Sequence, residues 1–429
     1  MSDDPTPKAG VSRRRFIGGA ATTVGALALG GPSALAGKTP GADASSIEHV
    51  VVVMMENRSF DHLLGWVPGA DGRQAGLTYD DASGTPHATH PLAPDYQGCA
   101  HPDPDHSYEG GRVEYDNGAC DGWLRAGSND EYAIGYYKQK DLAFLGRAVP
   151  QWTTLSRYHA AILAETYPNR IYQHAAQTDR LHNTSDLCTL PTIWDRLADA
   201  GRSGRYYYGD LPFLALWGAK YQPISRPVVS FFADCAAGTL ADVTYVDPRF
   251  LDESSGTSGD DHPHADIRNG EYYMERIYRA VTTGPNWPRT VLVFNYDEWG
   301  GFYDHVPPPT APVPPATQAA GDQDGRLGFR VPTLVVSPWA RRGYVGRRFY
   351  DHTSVLRLIE SRWALPSLTV RDRTANNLAE VLDFSKTDPR APQYDVPAGP
   401  FGAPCGTPSA GGEDWTGLVA LARTTGWPV

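Results

Sequence analysis

The chain alternates between short apolar runs and long polar, turn-rich stretches. Ile47-Glu48-His49-Val50-Val51-Val52-Val53-Met54-Met55 is nearly continuous in Val and Met and halts on Glu56-Asn57. A run without polar alternation predicts a strand buried on both faces, the habit of parallel sheets with helices on either side. Thr290–Tyr296 repeats the pattern and ends on Asp297-Glu298, and 331–336 is a third such run, ending at Ser337. Helical spacing is read over 143–162, 192–200, 267–282 and His352–Trp363. Pro168 suits the first turn of a further helix that opens near Thr166. Arg205 to Tyr208, with the aromatic passage 211–217, predicts a strand and a core helix, with a lipid-facing lip as the alternative. The expected fold class is α/β, a mostly parallel sheet flanked by helices, with long loop insertions.

Between these elements, 68–121 is crowded with Gly, Pro, Asp and His. Loops this long in a compact domain are usually functional or mobile. His101 and His106 fall there. No internal repeat is found, so one elaborated domain over 37–429 is expected, with a Pro/Gly-rich extension from about 384.

The amino terminus reads as an address. Ser12-Arg13-Arg14-Arg15-Phe16-Ile17 is a twin-arginine pattern, followed by an apolar stretch rich in Gly and Ala and the small-residue site Ala34-Leu35-Ala36. This predicts a cleaved signal over 1–36, the twin-arginine export machinery as a partner, and a mature chain acting in the periplasm or outside the cell. Five cysteines lack CxxC spacing, and in an oxidising compartment Cys99 with Cys120 is the expected bridge. A net charge of −11 argues against a nucleic-acid partner, which would need a basic surface.

Strand ends are where open α/β sheets assemble ligand sites. Glu56, Asn57, Asp297 and Glu298, with the Thr166 hydroxyl, form an all-oxygen donor set. Such a set suits one divalent hard cation, Ca²⁺, Mg²⁺ or Mn²⁺, with Zn²⁺ also compatible. A cation touching Thr166 would favour its alkoxide and make it a nucleophile. The simpler alternative is that Thr166 only caps its helix. His106 and His262, in polar loops, are candidates to hold phosphoryl oxygens and protonate a leaving group.

Five motifs occur in order: Glu-Asn-Arg-Ser-Phe-Asp-His, Thr-Tyr-Pro-Asn-Arg, Asp-Asp-His-Pro, Tyr-Asp-Glu-x-Gly-Gly-Phe-Tyr-Asp-His-Val-Pro-Pro-Pro and Tyr-Asp-His-Thr-Ser-Val-Leu-Arg. Together, over about 47–384, they resemble the bacterial phosphoesterase family of non-specific phospholipases C and related acid phosphatases. The resemblance implies an alkaline-phosphatase-like core, a metal on Glu56, Asn57, Asp297 and Glu298, Thr166 as nucleophile, and His106 and His262 on the phosphate. Two departures stand out. Trp299 replaces the usual histidine of Asp-Glu-His-Gly-Gly, and Ala164-Glu165 precedes the nucleophile where small residues are usual. His305 and His352 are read as structural first, with support of the metal ligands as the alternative.

The resulting expectation is a secreted, metal-dependent phospholipase C-type hydrolase that cleaves a phosphodiester through a phosphothreonine. Its substrate would be a phospholipid or another phosphate ester, met in transient contact with a membrane surface. An acid phosphatase acting on monoesters is the enzymatic alternative. A metal-dependent binding protein for anionic glycans is the alternative from another class.

Overall fold

The valine run forms the central strand. β1 (His49–Met55) lies between β5 (Val243–Val246) and β6 (Thr290–Tyr296) and is parallel to both. Both faces are covered, so Val50 to Met55 are buried without alternation. The remaining strands of the sheet are β2 (Thr153–Leu155), β3 (Gly204–Tyr208), β4 (Ser225–Pro227), β7 (Leu334–Val336) and β8 (Val345–Gly346). Their order is β8-β2-β7-β6-β1-β5-β3-β4. Only β7 runs against its neighbours. The carboxyl ends of β1, β5 and β6 therefore emerge side by side, whereas Ser337 leaves the opposite edge.

The computed structural model describes residues 42–406 and 415–429. The expected signal over 1–36, and the part of the Pro/Gly-rich extension in 407–414, lie outside these residues. Among the described residues no helix is long and apolar enough to cross a membrane.

The helices that bear on the site are α1 (Tyr108–Tyr115), α2 (Thr166–Ala175), α3 (Ile193–Asp199), α4 (Val228–Ala237), α5 (Ile267–Thr283), α6 (His352–Trp363) and α7 (Thr416–Thr424). Successive strand residues point to opposite faces. Tyr206 meets His174 of α2, while Tyr207 meets Phe231 of α4. α2 and α4 thus cover opposite sides of the sheet.

Two expectations are corrected, and one alternative is decided. The long helix over 143–162 is instead one turn (Leu145–Ala148), a 3-10 turn and β2. Pro150 cannot continue a helix, and β-branched Thr153 and Thr154 suit the sheet they join. The passage 211–217 is a short buried helix, as the core-helix reading has it, and not the lipid-facing lip. Phe213–Trp217 is a 3-10 turn, and Leu211, Phe213 and Trp217 are all buried. Cys99 bonds Cys405, not Cys120, and so ties the first long loop to the carboxyl-terminal extension. Cys120 is a buried thiol in a separate apolar cluster with Trp123 and Trp299.

Candidate active site

Three parallel strands deliver a carboxylate at the same edge: Glu56 after β1, Asp247 after β5 and Asp297 after β6. One guanidinium staples them. Arg170 of α2 donates from Nε to Glu56 at 2.8 Å and to Asp297 at 3.3 Å, and from a terminal nitrogen to Asp247 at 3.2 Å. It also reaches the carbonyls of Met54 and Met55 at 3.2 and 3.3 Å. Burial would depress its pKa, but Glu56, Asp247 and Asp297 together raise it, so it is a permanent cation.

Asn57 turns the chain out of β1 in the left-handed region, φ 57°, a conformation that Asn tolerates better than most residues. Its backbone N–H donates to Asp297 Oδ1 at 3.0 Å. Gly300 lies against it so closely that a Cβ there would stand 2.0 Å from the Asn57 carbonyl oxygen. The Asp-Glu-Trp-Gly-Gly turn is therefore built onto the Glu-Asn turn by direct backbone contact.

Thr166 is the first residue of α2, and its side chain does not cap the helix. Its hydroxyl donates to Asn57 Oδ1 at 3.2 Å. The Asn57 amide nitrogen lies 3.4 Å from His106 Nε2, which is 3.9 Å from Glu298 Oε1. Thr166 is fully buried, but in this polar cluster and not in the apolar core. The His106 Nδ1–H donates to the Pro104 carbonyl at 2.8 Å, which turns Nε2 toward the cluster. His262 follows at a ring-centroid separation of 6.0 Å from His106. All seven residues expected at the site are thus brought into one continuous cluster.

His262 is buried, and its pKa is well below the ordinary histidine value. The cause is first burial, then positive charge on His106, His264 and Arg58. Asp103 and Glu253, both buried, lie 3.7 and 3.9 Å from its Nε2. Arg58 holds its loop, donating to the Asp261 carbonyl at 2.6 Å and the His262 carbonyl at 3.1 Å. Arg58 and Arg170 are both engaged within the protein.

The donor set fits a divalent cation. Glu56, Asp297, Glu298 and Asp247 are all buried, and the guanidinium among them is Arg170 alone of the described residues. Buried carboxylates in such excess call for further positive charge. A different trio, Asp61, Asp304 and His305, brings its ligand atoms within 4.8 Å of one another. There Arg330 pairs with Asp61 at 3.2 Å and Asp304 at 2.8 Å, and His305 Nδ1 meets Asp61 at 2.5 Å. Backbone N–H groups of Arg73, His305 and Val306 donate to the same two carboxylates. The two carboxylates of that trio are thus already met by Arg330 and by backbone N–H groups.

His352 stands behind the site: its Nε2 meets the Asp297 carbonyl at 2.6 Å. His101 is turned away, bonded to Asp130 at 2.8 Å and stacked on Tyr132. Trp299 is fully buried and donates to Glu114 at 2.7 Å. A packed indole therefore stands at the position where the resemblance implies an imidazole.

Asp247, Asp103 and Glu253 were not foreseen. Asp247 obeys the rule that found Glu56, an acid directly after a buried apolar run, here Val243 to Val246. Asp103 sits in the same His-Pro-Asp-Pro-Asp-His segment as His106. Glu253 carries no local signal, because only tertiary folding brings its loop to His262.

Comparison with known proteins gives the family of this chain. The Phosphoesterase family model matches residues 47–366. Non-specific phospholipase C6 of Arabidopsis thaliana is 30% identical over 393 residues, 82% of this chain and 74% of the relative. Phospholipase C B of Mycobacterium tuberculosis is 30% identical over 475 aligned positions, 91% of this chain and 89% of the relative. A solved protein of the alkaline phosphatase superfamily from Vibrio parahaemolyticus superposes with a TM-score of 0.38 at 8% identity, covering 78% of this chain and 70% of that one. The chain belongs to the Phosphoesterase family and is a hydrolase acting on phosphoric ester bonds.

Proposed function

We propose that this hydrolase is an exported, metal-dependent phosphodiesterase of the phospholipase C type that works through a phosphothreonine at Thr166. The observation that carries the reading is the Thr166 hydroxyl, held by Asn57 at the start of α2 and joined through that amide to His106 and the acidic strand ends. The phospholipase C relatives support a phospholipid as the diester, and the twin-arginine motif supports export.

Glu56, Asn57, Thr166, Asp297 and Glu298 would hold one divalent ion, Ca²⁺, Mg²⁺, Mn²⁺ or Zn²⁺. When bound, it would supply Lewis-acid stabilisation of phosphoryl oxygens and ease ionisation of the hydroxyl. Asn57 orients the Thr166 hydroxyl for in-line attack on phosphorus, and the proton of that hydroxyl would pass to solvent water as the oxygen becomes the nucleophile. The amino end of α2 directs its positive pole at the phosphoryl charge. His106, protonated at Nε2, would donate to the departing glycerol oxygen and then, as base, take a proton from the water that cleaves the phosphothreonine. His262, kept neutral by its surroundings, would offer an N–H to a non-bridging oxygen.

With both arginines committed to internal partners, the acidic site favours a singly charged diester over a dianionic monoester. The test compares release of diacylglycerol from phosphatidylcholine with release of phosphate from a chromogenic monoester. Turnover of the lipid alone, or much the faster, is expected. Turnover of the monoester alone would replace the reading with the acid-phosphatase one.

A further inference from the structure

A cavity of about 630 Å³ lies away from the catalytic cluster, and none of the residues assigned to that cluster lines it. Its walls come from α4, α5, the loop 257–259 and the segment 399–404, which the Cys99–Cys405 bond fastens in place. Phe232, Tyr272, Tyr273 and Phe401 make its lining predominantly apolar. The volume falls within the roughly 300–1,000 Å³ typical of small-molecule sites.

Two exposed arginines complete it. Arg276 leans over the Phe232 ring, its guanidinium carbon 4.5 Å from the centroid. Arg249 donates to the Thr257 carbonyl. Among the described residues neither guanidinium has a carboxylate at ion-pair distance. Asp210, whose charge reaches Arg249, is held by the backbone N–H groups of Leu211, Phe250 and Leu251. This pair is a local basic spot on a chain of net charge −11. The rim continues onto α4, where Val229 is 71% exposed beside the half-buried Val228 and Phe232.

We infer that this cavity is a binding site for a single-chain amphiphile with an anionic head group. Aromatic walls take the aliphatic chain, and Arg249 and Arg276 hold the head at the mouth. Long basic side chains suit this task, since their stems lie along apolar surface while the charged ends stay in water. The site is separate from the hydrolytic one, so its test does not depend on the proposed chemistry.

Calorimetric titration of the whole protein with monomeric tetradecanoate tests the inference, with tetradecanol and tetradecyltrimethylammonium as comparisons. One saturable site for tetradecanoate is expected, with affinity at least tenfold above either comparison. Arg276→Ala should weaken tetradecanoate binding about tenfold, and Arg276→Glu should abolish it, with the thermal midpoint of unfolding unchanged. Arg276 is an exposed residue whose contacts are ring faces, so these variants keep the fold. Absence of saturable binding, equal affinity for tetradecanol, or binding unchanged in Arg276→Glu would each overturn the inference.

Discussion

Arg170 meets Glu56 at 2.6 Å with both side chains buried, and the same guanidinium reaches the acids that follow β5 and β6. This edge of the sheet is therefore held together by a cation from the helix that carries Thr166. Breaking a buried ion pair by removing one partner costs about 3–5 kcal/mol. Arg170→Met should lower the urea unfolding free energy by that amount. Arg170→Lys should recover little of it, because one ammonium cannot serve three carboxylates spread around a planar fork. Recovery close to wild type in Arg170→Lys would show that only the charge matters.

The donor set predicts one divalent ion per chain. Exhaustive chelation should lower the thermal midpoint, and re-addition of the correct ion should restore it. Elemental analysis should find about one equivalent in the wild type. Glu298→Gln should hold clearly less while leaving far-ultraviolet dichroism unchanged. A chain that retains full stability after chelation and binds no ion in excess of Glu298→Gln would rule the site out.

Glu271 predicts a pH effect on stability. Burial pushes its carboxyl up to about 8, although the backbone N–H groups of Phe144 and Leu145 donate to it. Between its ordinary value near 4.5 and about 8, the folded chain keeps a proton that the unfolded chain has released. Stability therefore falls as pH rises through that window. Glu271→Gln does not titrate, so the wild type should lose stability relative to it by a few kcal/mol across the window, and no further above it. A difference independent of pH would contradict the assignment.

The parts of this site that could be read from the sequence share one property: their signal is local. Val50 to Met55 and Val291 to Phe294 are apolar without alternation because both faces are covered, and each strand is followed by a polar pair, Glu56-Asn57 and Asp297-Glu298. The helix at Thr166 announces itself through Pro168, and α6 through its spacing after Asp351. What could not be read depends on distant contacts. Cys405 finds Cys99 only because the extension returns across the first loop. Thr153 to Leu155 becomes a strand only because β7 and β8 offer pairing partners. Arg170 could be marked as a candidate but not as the staple of three strands, since its partners are 77 to 127 residues away.

The central claim is that the phosphoryl group passes through Thr166. The most direct test mixes the protein with a phosphodiester labelled at phosphorus, quenches in acid during turnover and maps the bound label by peptide sequencing. Label on Thr166 in the wild type, retained in Thr166→Ser on the serine and absent from a folded Thr166→Ala that no longer turns over, is the predicted result. Normal turnover by Thr166→Ala, or label on another residue, would contradict the account.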